Sequence, residues 1–498
     1  MKNFIVHLVF IQLFLLPFLQ IRAQPLTWDN VYSFPGKYHG IFTKVLRTGN
    51  NEMYLAGYAE FGWCQYSPGF MRIDTNGNAL WTHSYDFPDS YQQFTHTLVK
   101  LNENSYYSFC FNPLIPVPVD KKKNSKWEEI TNDCWLLKLN DNGDTVFAKH
   151  YENIGWVNDL IIDNGNLIAV GSTNYYEEDS LMKYYTKATL LALDTNGTFL
   201  WKKEYLTDQN ARVNSILKNP AGNYLITGTT TDYFDSFGYI MYPDKMFFFE
   251  VDTMGNLLSE YFSDIEYSEG KKIIICEDGN YAIIGDGYNP ENNTIDIILW
   301  KFDTANTLLN SVFSALPKED KAYSFDQTPD GGFIICGSII PLSSTGGAYA
   351  FFYFKTNESG VEEWYTNNHQ NFSFASDVLI NDHSGYFIVG KGSNAKIVKS
   401  DLNGNGLITS IREDLDFSND KLFEIYPNPV QTKLLFIKHA SSVYCEVSIF
   451  NLLGRLITRQ KTENGGSVNI NGLEKGVYIL SVTDETDHIV TKEKIIVE

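Results

Sequence analysis

The stretch Gly222-Asn-Tyr-Leu-Ile-Thr-Gly228 decides the fold, because it recurs in altered form along most of the chain. Six further copies occupy residues 51–57, 103–110, 165–171, 279–285, 331–337 and 384–390. Successive copies are spaced by about 52 to 61 residues. A period of this length is typical of architectures built from repeated supersecondary units, in which each unit packs only against its neighbours.

Each repeat divides into four short strands with turn signals between them. In the fourth repeat the strands are predicted at residues 212–217, 224–227, 246–251 and 257–262. The turn after the third strand reads Asp252-Thr-Met-Gly255, and most other repeats have Asp or Asn followed by Asn-Gly at this place. Such residues tolerate the positive φ that tight turns require. Seven units of four antiparallel strands predict an all-β fold, a seven-bladed β-propeller.

The composition agrees with β structure and excludes one class of partner. Aromatic residues make up 15% of the chain, with 31 Tyr and 34 Phe, and such side chains suit a pleated, half-buried surface. The formal net charge of −21 argues against nucleic acid, whose phosphates require clustered Lys and Arg. An acidic surface by itself indicates no more than solubility.

Closure of the ring is predicted at the mature N-terminus. The fourth strands beginning at Trp81 and Trp201 carry Tyr four residues later, and Trp28-Asp-Asn-Val-Tyr32 has the same form without three strands before it. This orphan strand could complete the seventh blade. Residues 407–411 compete for the same position, and the sequence leaves that choice open.

The first 23 residues have the pattern of a signal peptide. Lys2 precedes an apolar run from Phe4 to Leu19, and Ile21-Arg-Ala23 would serve as the cleavage site. The alternative is an anchoring helix, but a bilayer span needs about 20 apolar residues and this run is shorter. No other stretch of the sequence is apolar enough to cross a membrane, so no transmembrane span is expected in the mature chain.

The repeats also predict where a ligand could bind. In a four-stranded meander the first-to-second and third-to-fourth turns lie on one face, here called the fixed face, where the turns are tight. The other loops lie on the opposite face, here called the variable face, and their lengths differ. Loops on a rigid scaffold concentrate function, and Tyr and Trp suit stacking on sugars or contact with a protein. The candidate ligand-binding residues are Trp63, Tyr66, Trp127, Tyr175, Tyr176, Tyr233 and Tyr242. Alternatively, these rings only cover the tops of the blades.

No catalytic motif is present in the sequence. Glu128-Glu129 and Glu177-Glu178-Asp179 could supply a general acid and base on the variable face, although acidic loop residues are usually just solvated. The Asp-Thr-Asn-Gly turns lack the further oxygen ligands of a calcium loop. We therefore expect no catalytic residues, no metal site and no cofactor.

After Leu407 the repeat ends, and residues 413–420 form a polar, acidic segment. The motifs that follow are Ile425-Tyr-Pro-Asn-Pro-Val430, Val447–Arg455, Val468–Leu473, Gly476–Val482 and Lys494–Glu498. In order and spacing they resemble the type A C-terminal sorting domain of the bacterial type IX secretion system. The resemblance implies a small Ig-like β-sandwich that directs the chain across the outer membrane through the type IX secretion machinery. It places the sorting signal at Tyr426, Pro427, Asn428, Pro429, Gly454, Gly476 and Tyr478.

The sequence therefore predicts a signal peptide (1–23), a propeller (24–412), an acidic linker (413–424) and a sorting domain (425–498). Three functional hypotheses remain. The first is a secreted or surface-attached module that binds a glycan or a protein. The second is an enzyme that acts on extracellular polysaccharide, and the third is a structural component of a surface layer.

Overall fold

The computed structural model describes residues 27–497 outside a set of short gaps. The gaps are residues 50, 63–64, 88–92, 112–132, 153, 178–182, 207–208, 232, 235–239, 243, 317–318, 340–348, 372, 382–383, 405–422, 427–428, 431–433, 440–443, 452–455, 464–465 and 484–488. The predicted signal peptide, the competing strand at 407–411 and most of the predicted linker lie outside the described residues. Within them the regular structure is entirely β, with no helix.

The strands before residue 405 form antiparallel sheets, here numbered in chain order. The first strand is β1 (Trp28–Tyr32). Sheet 1 comprises β2 (His39–Arg47), β3 (Met53–Gly62), β4 (Gln65–Ile73) and β5 (Ala79–Ser84). Sheet 2 comprises β6 (Phe94–Thr95), β7 (Val99–Asn102), β8 (Ser105–Phe111), β9 (Cys134–Leu139) and β10 (Thr145–Tyr151). Sheet 3 comprises β11 (Trp156–Asp163), β12 (Asn166–Glu177), β13 (Lys183–Asp194) and β14 (Phe199–Tyr205). Sheet 4 comprises β15 (Asn210–Lys218), β16 (Tyr224–Thr231), β19 (Met246–Val251) and β20 (Leu257–Phe262). A separate hairpin between β16 and β19 comprises β17 (Tyr233–Phe234) and β18 (Ile240–Tyr242).

The remaining sheets follow the same meander. Sheet 5 comprises β21 (Glu269–Ile275), β22 (Tyr281–Asn289), β23 (Thr294–Phe302) and β24 (Leu308–Phe313). Sheet 6 comprises β25 (Asp320–Gln327), β26 (Phe333–Ile339), β27 (Ala350–Thr356) and β28 (Glu362–Asn371). Sheet 7 comprises β29 (Phe374–Ile380), β30 (Tyr386–Lys391), β31 (Ala395–Ser400) and, as its outer strand, β1. Trp28 pairs with Lys399 and Tyr32 with Ala395, which is the closing strand that the sequence predicted.

The turns of the fixed face share one geometry. In the turn after β4, the Gly77 amide donates to the carbonyl of Asp74 at 3.1 Å, and the Asp74 amide donates to the carbonyl of Asn78 at 3.0 Å. The Asp74 carboxylate accepts two more backbone N–H groups, from Asn76 and Asn78, each at 2.8 Å. Gly77 has a φ of 83°, which requires a residue without a Cβ or one that tolerates the left-handed region. The aspartates of these turns therefore have a structural role, as the sequence predicted.

Neighbouring sheets are joined on this face by a repeated tyrosine contact. A tyrosine at the outer strand donates to the carbonyl of the turn glycine in the next sheet. Where the same outer strand also has a tryptophan, its indole lies over that glycine. The tyrosine bonds are Tyr32 to Gly77 (2.7 Å), Tyr85 to Gly143, Tyr151 to Gly197 (2.5 Å) and Tyr205 to Gly255 (2.8 Å). Trp28, Trp81 and Trp201 contact Gly77, Gly143 and Gly255 in the same way. Because Trp28 and Tyr32 repeat this contact, β1 joins sheet 7 to sheet 1.

The hydrophobic core lies between sheets rather than within one of them. Seven clusters of buried side chains each combine two consecutive sheets, among them Phe387 of sheet 7 with Phe42 and Leu55 of sheet 1. The first strands of consecutive sheets also contact one another, as β15 does β21 and β29 does β2. The sheets are therefore arranged cyclically with their first strands at the centre. The predicted all-β, propeller-like class is confirmed.

The C-terminal segment forms two sheets around a core of its own. One sheet comprises β32 (Phe423–Tyr426), β33 (Leu434–His439) and β36 (Ser467–Asn469). The other comprises β34 (Tyr444–Asn451), β35 (Leu456–Glu463), β37 (Gly476–Thr483) and β38 (Ile489–Val497). Ile437 of one sheet and Ile449 and Leu480 of the other are all fully buried in one cluster. This arrangement is the small sandwich that the sequence predicted.

Candidate functional site

The first strands carry a β-bulge at the same point in nearly every repeat. The pairing register shifts at residues 42/44, 157/159, 213/215, 270/272, 322/324 and 375/377. In sheet 2 the first strand is interrupted at this point, between Thr95 of β6 and Val99 of β7. A bulge leaves one residue unpaired and redirects its neighbours. Polar side chains at the bulges thus face the centre of the ring.

Four of the bulged residues bind the next sheet through one common hydrogen bond. The side chain donates to the backbone carbonyl that precedes the bulge of the next first strand. The bonds run from Thr43 to Thr95 (2.7 Å), Asn158 to Val213 (2.8 Å), Asn214 to Gly270 (2.8 Å) and Ser376 to Phe42 (2.7 Å). The corresponding residues of sheets 2, 5 and 6 are His96, Lys271 and Tyr323, and these larger side chains make other contacts.

The residues that follow the bulges form a second set, here called the inner polar ring: Lys44, Asp159, Ser215, Lys272, Ser324 and Asp377. Most of its members are hydrogen-bonded to each other. Ser215 donates to Asp159 at 2.9 Å, Lys272 to Ser324 at 2.8 Å, and Ser324 to Asp377 at 2.6 Å. The Asp377 carboxylate also accepts the Val45 amide at 3.1 Å. The ring therefore joins the sheets around the centre.

Electrostatics fix the charge states in the inner polar ring. Burial opposes ionisation of Asp377, but Lys44 and Lys272 hold the pKa of its carboxyl below the usual value. Burial likewise opposes the charge of Lys44, but Asp377 and Asp159 raise the pKa of its ammonium group above the usual value. Both groups are therefore charged at neutral pH.

A cluster of aromatic side chains lies on the variable face of sheets 1 to 3. Its members are in continuous ring contact: Tyr58–Phe94 (4.7 Å between centroids), Tyr66–Phe94 (4.9 Å), Phe94–Phe111 (5.7 Å), His96–Phe111 (5.5 Å) and Phe111–Trp156 (5.2 Å). We call Tyr58, Tyr66, Phe94, His96, Phe111 and Trp156 the aromatic cluster. Phe111 is buried and the other five are partly exposed. The cluster offers a contiguous apolar surface with polar edges.

The aromatic cluster adjoins the inner polar ring at His96. His96 is the bulge-position residue of sheet 2, and burial together with the charge of Lys44 lowers the pKa of its imidazole to about 4. At neutral pH the ring is therefore uncharged, with one nitrogen as a donor and the other as an acceptor.

Buried charges occupy the variable face of sheets 4 to 6. Glu269 accepts hydrogen bonds from Asn214 at 2.8 Å and Lys271 at 2.5 Å, and it forms an ion pair with Arg212. Burial opposes its charge, but these two cations hold the pKa of Glu269 well below its usual range. Burial raises the pKa of the neighbouring Asp286 to about 6.

These carboxylates do not form a metal site. Among the residues that the structure describes, no group of three or more His, Cys, Asp or Glu side chains is placed to hold a metal ion. Asp286 instead accepts the Ala322 amide at 2.8 Å, which joins sheet 5 to sheet 6. Where side chains are described, the buried carboxylates near the centre thus have structural partners.

The candidate residues predicted from the sequence are only partly united by the structure. Tyr66 belongs to the aromatic cluster. Tyr175 and Tyr176 lie in β12, which extends past the predicted loop and pairs them with Tyr185 and Tyr184. Tyr233 pairs with Tyr242 in the β17–β18 hairpin. The four candidates Tyr175, Tyr176, Tyr233 and Tyr242 therefore lie in strands rather than in the predicted loops. Trp63 and Trp127 lie outside the described residues, as does Glu128.

Sequence reasoning missed five members of the cluster. Tyr58 and Phe111 each follow the last residue of a repeated phrase, Phe94 and Trp156 lie in first strands, and His96 lies between β6 and β7. The four aromatic residues in strands read as core residues, and His96 reads as an isolated histidine. For Tyr58 and Phe111 the available signal was position, since the residue after the phrase lies toward the variable face: Phe111 ends β8, and Tyr58 lies in the second half of β3.

In the sorting domain, Tyr426 is exposed and stacks on Phe436 with ring centroids 5.7 Å apart. Gly476 begins β37, and Tyr478 donates to the carbonyl of Glu474 at 2.9 Å. Pro429 is described and exposed, whereas Pro427, Asn428 and Gly454 lie outside the described residues.

Comparison with known proteins identifies this C-terminal domain. Residues 424–498 match the family described as Secretion system C-terminal sorting domain, so the resemblance to type IX sorting domains is confirmed. Such a domain implies export to the cell surface or secretion. No curated protein matches the chain. No helix among the described residues is long and apolar enough to cross a membrane.

Solved structures similar to the chain are remote in sequence. YCF48 bound to D1 peptide has a TM-score of 0.44 at 9% identity, over 76% of this chain and 97% of that one. A protein of unknown function from Dyadobacter fermentans has a TM-score of 0.43 at 12% identity, over 67% and 95%. Sqt1 from Chaetomium thermophilum has a TM-score of 0.41 at 11% identity, over 74% and 98%. The fold assignment for this chain rests on its own strand pairing.

Proposed function

We propose that this chain is a secreted or surface-attached binding protein, in which a seven-bladed propeller holds a glycan or protein ligand on its variable face. The aromatic cluster is the observation that carries this proposal. Three sheets contribute to it, and five of its six rings are partly exposed although they contact one another. Rings held by strands lose little side-chain entropy when a ligand binds.

A glycan is the ligand class that the cluster favours. Sugar rings present flat C–H faces beside hydroxyl groups, and Tyr and Trp match them with an apolar face and a polar edge. Tyr58 and Tyr66 pack edge to face with centroids 5.6 Å apart, so the two ring planes are differently oriented. The predicted signal peptide and the type IX sorting domain support this ligand class, because an exported protein would meet extracellular polysaccharides.

The test is binding of a polysaccharide panel to the exported chain, followed by thermal unfolding. A ligand at a hundred times its Kd stabilises the folded state by about 2.7 kcal/mol. We expect one glycan class to raise the Tm, and we expect Trp156→Ala or Tyr66→Ala to weaken its binding at least about tenfold. Tyr365→Ala is the matched control, because Tyr365 is 44% exposed but lies on the outer strand of sheet 6.

The outcome also separates the alternative functions. Binding of a protein with no response to any glycan would retain the binding role and replace the ligand class. Release of shortened products from a bound glycan would make the protein an enzyme, and substitution of Glu128 or Glu177 should then abolish turnover but not binding. Self-association without any soluble ligand would indicate a structural role and overturn the proposal.

A further inference from the structure

Lys44 differs from the other cations near the centre of the ring. Lys272 donates to Ser324, and Lys271 to Glu269. For Lys44 the structure gives no hydrogen bond and no ion pair within the described part of the chain, although its charge is favoured by Asp377 and Asp159. A charged ammonium group that is partly buried without a direct protein partner needs water or a ligand to complete its hydrogen bonds, and it is therefore available to a ligand.

His96 is the second side chain with unused hydrogen-bonding groups at this point. Its ring stacks on Phe111 at an interplanar angle of 21°, and its nitrogens have no hydrogen-bond partner among the described residues. The neutral imidazole can donate one N–H and accept one hydrogen bond.

A hydrogen bond from the preceding residue of one strand to the other strand brings Lys44 and His96 together. Thr43, which precedes Lys44, donates to the carbonyl of Thr95, which precedes His96, at 2.7 Å. This bond fixes the bulge of sheet 1 against the interrupted strand of sheet 2. Lys44 and His96 are therefore neighbours, and His96 continues into the aromatic cluster through Phe111. A cation, a neutral imidazole and a stacking surface lie in sequence from the centre outward.

We propose that Lys44 and His96 bind the carboxylate and an adjacent hydroxyl of an acidic sugar whose neighbouring rings stack on the aromatic cluster. This inference rests on the proposed function and specifies the ligand as a glycan ending in a uronic acid. Lys44 donates a charge-assisted hydrogen bond to the carboxylate, and His96 donates its N–H or accepts a sugar hydroxyl. Because Lys44 lies toward the centre of the ring and the aromatic cluster lies outward of it, the acidic residue is the end of the sugar chain.

The test compares two oligosaccharides that differ only at the non-reducing end. One ends in glucose and the other in glucuronic acid, and calorimetry measures their binding to the full exported chain at low and high salt. We expect the acidic oligosaccharide to bind about tenfold more tightly or better, with a preference that decreases as salt increases. Lys44→Met should remove the preference, so that the two sugars bind with equal affinity, while Lys44→Arg should retain it.

The controls distinguish this inference from the proposed function. Lys202→Met removes a cation that is paired with Glu204 at 2.9 Å on the outer strand of sheet 3, and it should leave the preference intact. Equal affinity of the unmodified chain for the two sugars would refute the acidic subsite but keep glycan binding. Failure of both sugars to bind at any concentration would count against both proposals. If Lys44→Met does not fold, the affinities of the unmodified chain and of Lys44→Arg for the two oligosaccharides still test the acidic subsite.

Discussion

Closure of the ring by β1 predicts a large effect of Trp28→Ala. Trp28 is 1% exposed, packs against Phe387 with centroids 6.0 Å apart, and contacts Gly77 of sheet 1. Its indole N–H donates to the carbonyl of Thr75 at 3.4 Å. Truncation of a buried tryptophan costs about 3–5 kcal/mol in free energy of unfolding, because the lost contacts leave a cavity. Here the cavity lies at the joint between the two ends of the ring.

The expected change in Tm follows from the size of the domain. Unfolding entropy is about 2.1 cal/mol/K per residue, and roughly 380 residues lie between Thr27 and Gly404. The product is about 0.8 kcal/mol/K, so a loss of about 4 kcal/mol lowers the Tm by about 5 °C. Scanning calorimetry on the exported chain measures this shift directly.

Trp201→Ala is the matched control, since Trp201 occupies the same position on sheet 3 and contacts Gly255. It should also lower the Tm, but without opening the ring. Hydrogen exchange distinguishes the two variants: amides of β31, which pair with β1 through Lys399 and Ile397, should lose protection in Trp28→Ala and keep it in Trp201→Ala. Equal protection of β31 in both variants would show that β1 does not close the ring.

Three further predictions concern other parts of the chain. Asp286→Asn should stabilise the protein above pH 6, because the folded-state pKa of Asp286, about 6, lies above its unfolded value. The contribution of Asp286 to stability is therefore full below about pH 4 and decreases by about 3 kcal/mol as pH rises through 6. Unfolding of both forms from pH 4 to 8 measures this, and a stability difference between them that does not change with pH would contradict it. Asn306→Gly should destabilise by about 1–2 kcal/mol although glycine suits its φ of 63°, because the Asn306 amide donates to Glu250 at 2.6 Å and Ser259 at 2.9 Å; chemical denaturation tests it, and a neutral result would mean that these bonds are replaced by water. Deletion of residues 421–498 should leave the chain in the periplasm, as fractionation would reveal, and equal surface export of the truncated chain would refute the role of the tail.

The repeat could be predicted because its signals are local. Turn glycines with positive φ, such as Gly77 and Gly255, depend on their own backbone, and the alternation of turn and strand follows at a fixed period. The Trp28–Tyr32 strand was also recognisable, since its tryptophan and tyrosine serve the same contact as those of other outer strands. The class of the fold required no knowledge of distant contacts.

The candidate site could not be predicted in the same way, because bulges are invisible in a hydrophobic pattern. Lys44 reads as an ordinary charged residue of β2, yet the bulge at Thr43 directs it toward the centre of the ring. The aromatic cluster joins residues of three repeats, and its members are ordinary strand residues until the sheets meet. Predicting it requires the order and tilt of the sheets as well as the strand positions.

The bulge positions nevertheless show how a repeat can mark its own site. Where the bulged residue is Thr43, Asn158, Asn214 or Ser376, a small polar side chain binds the next sheet and is fully used by the fold. In sheet 2 the same position holds His96, which does not make that bond and instead belongs to the aromatic cluster. Lys271 also departs from the common bond, but it donates to Glu269 instead. The nitrogens of His96 have no hydrogen-bond partner among the described residues, so His96 is released from the common structural role. A ligand is the partner that such a residue is then able to bind.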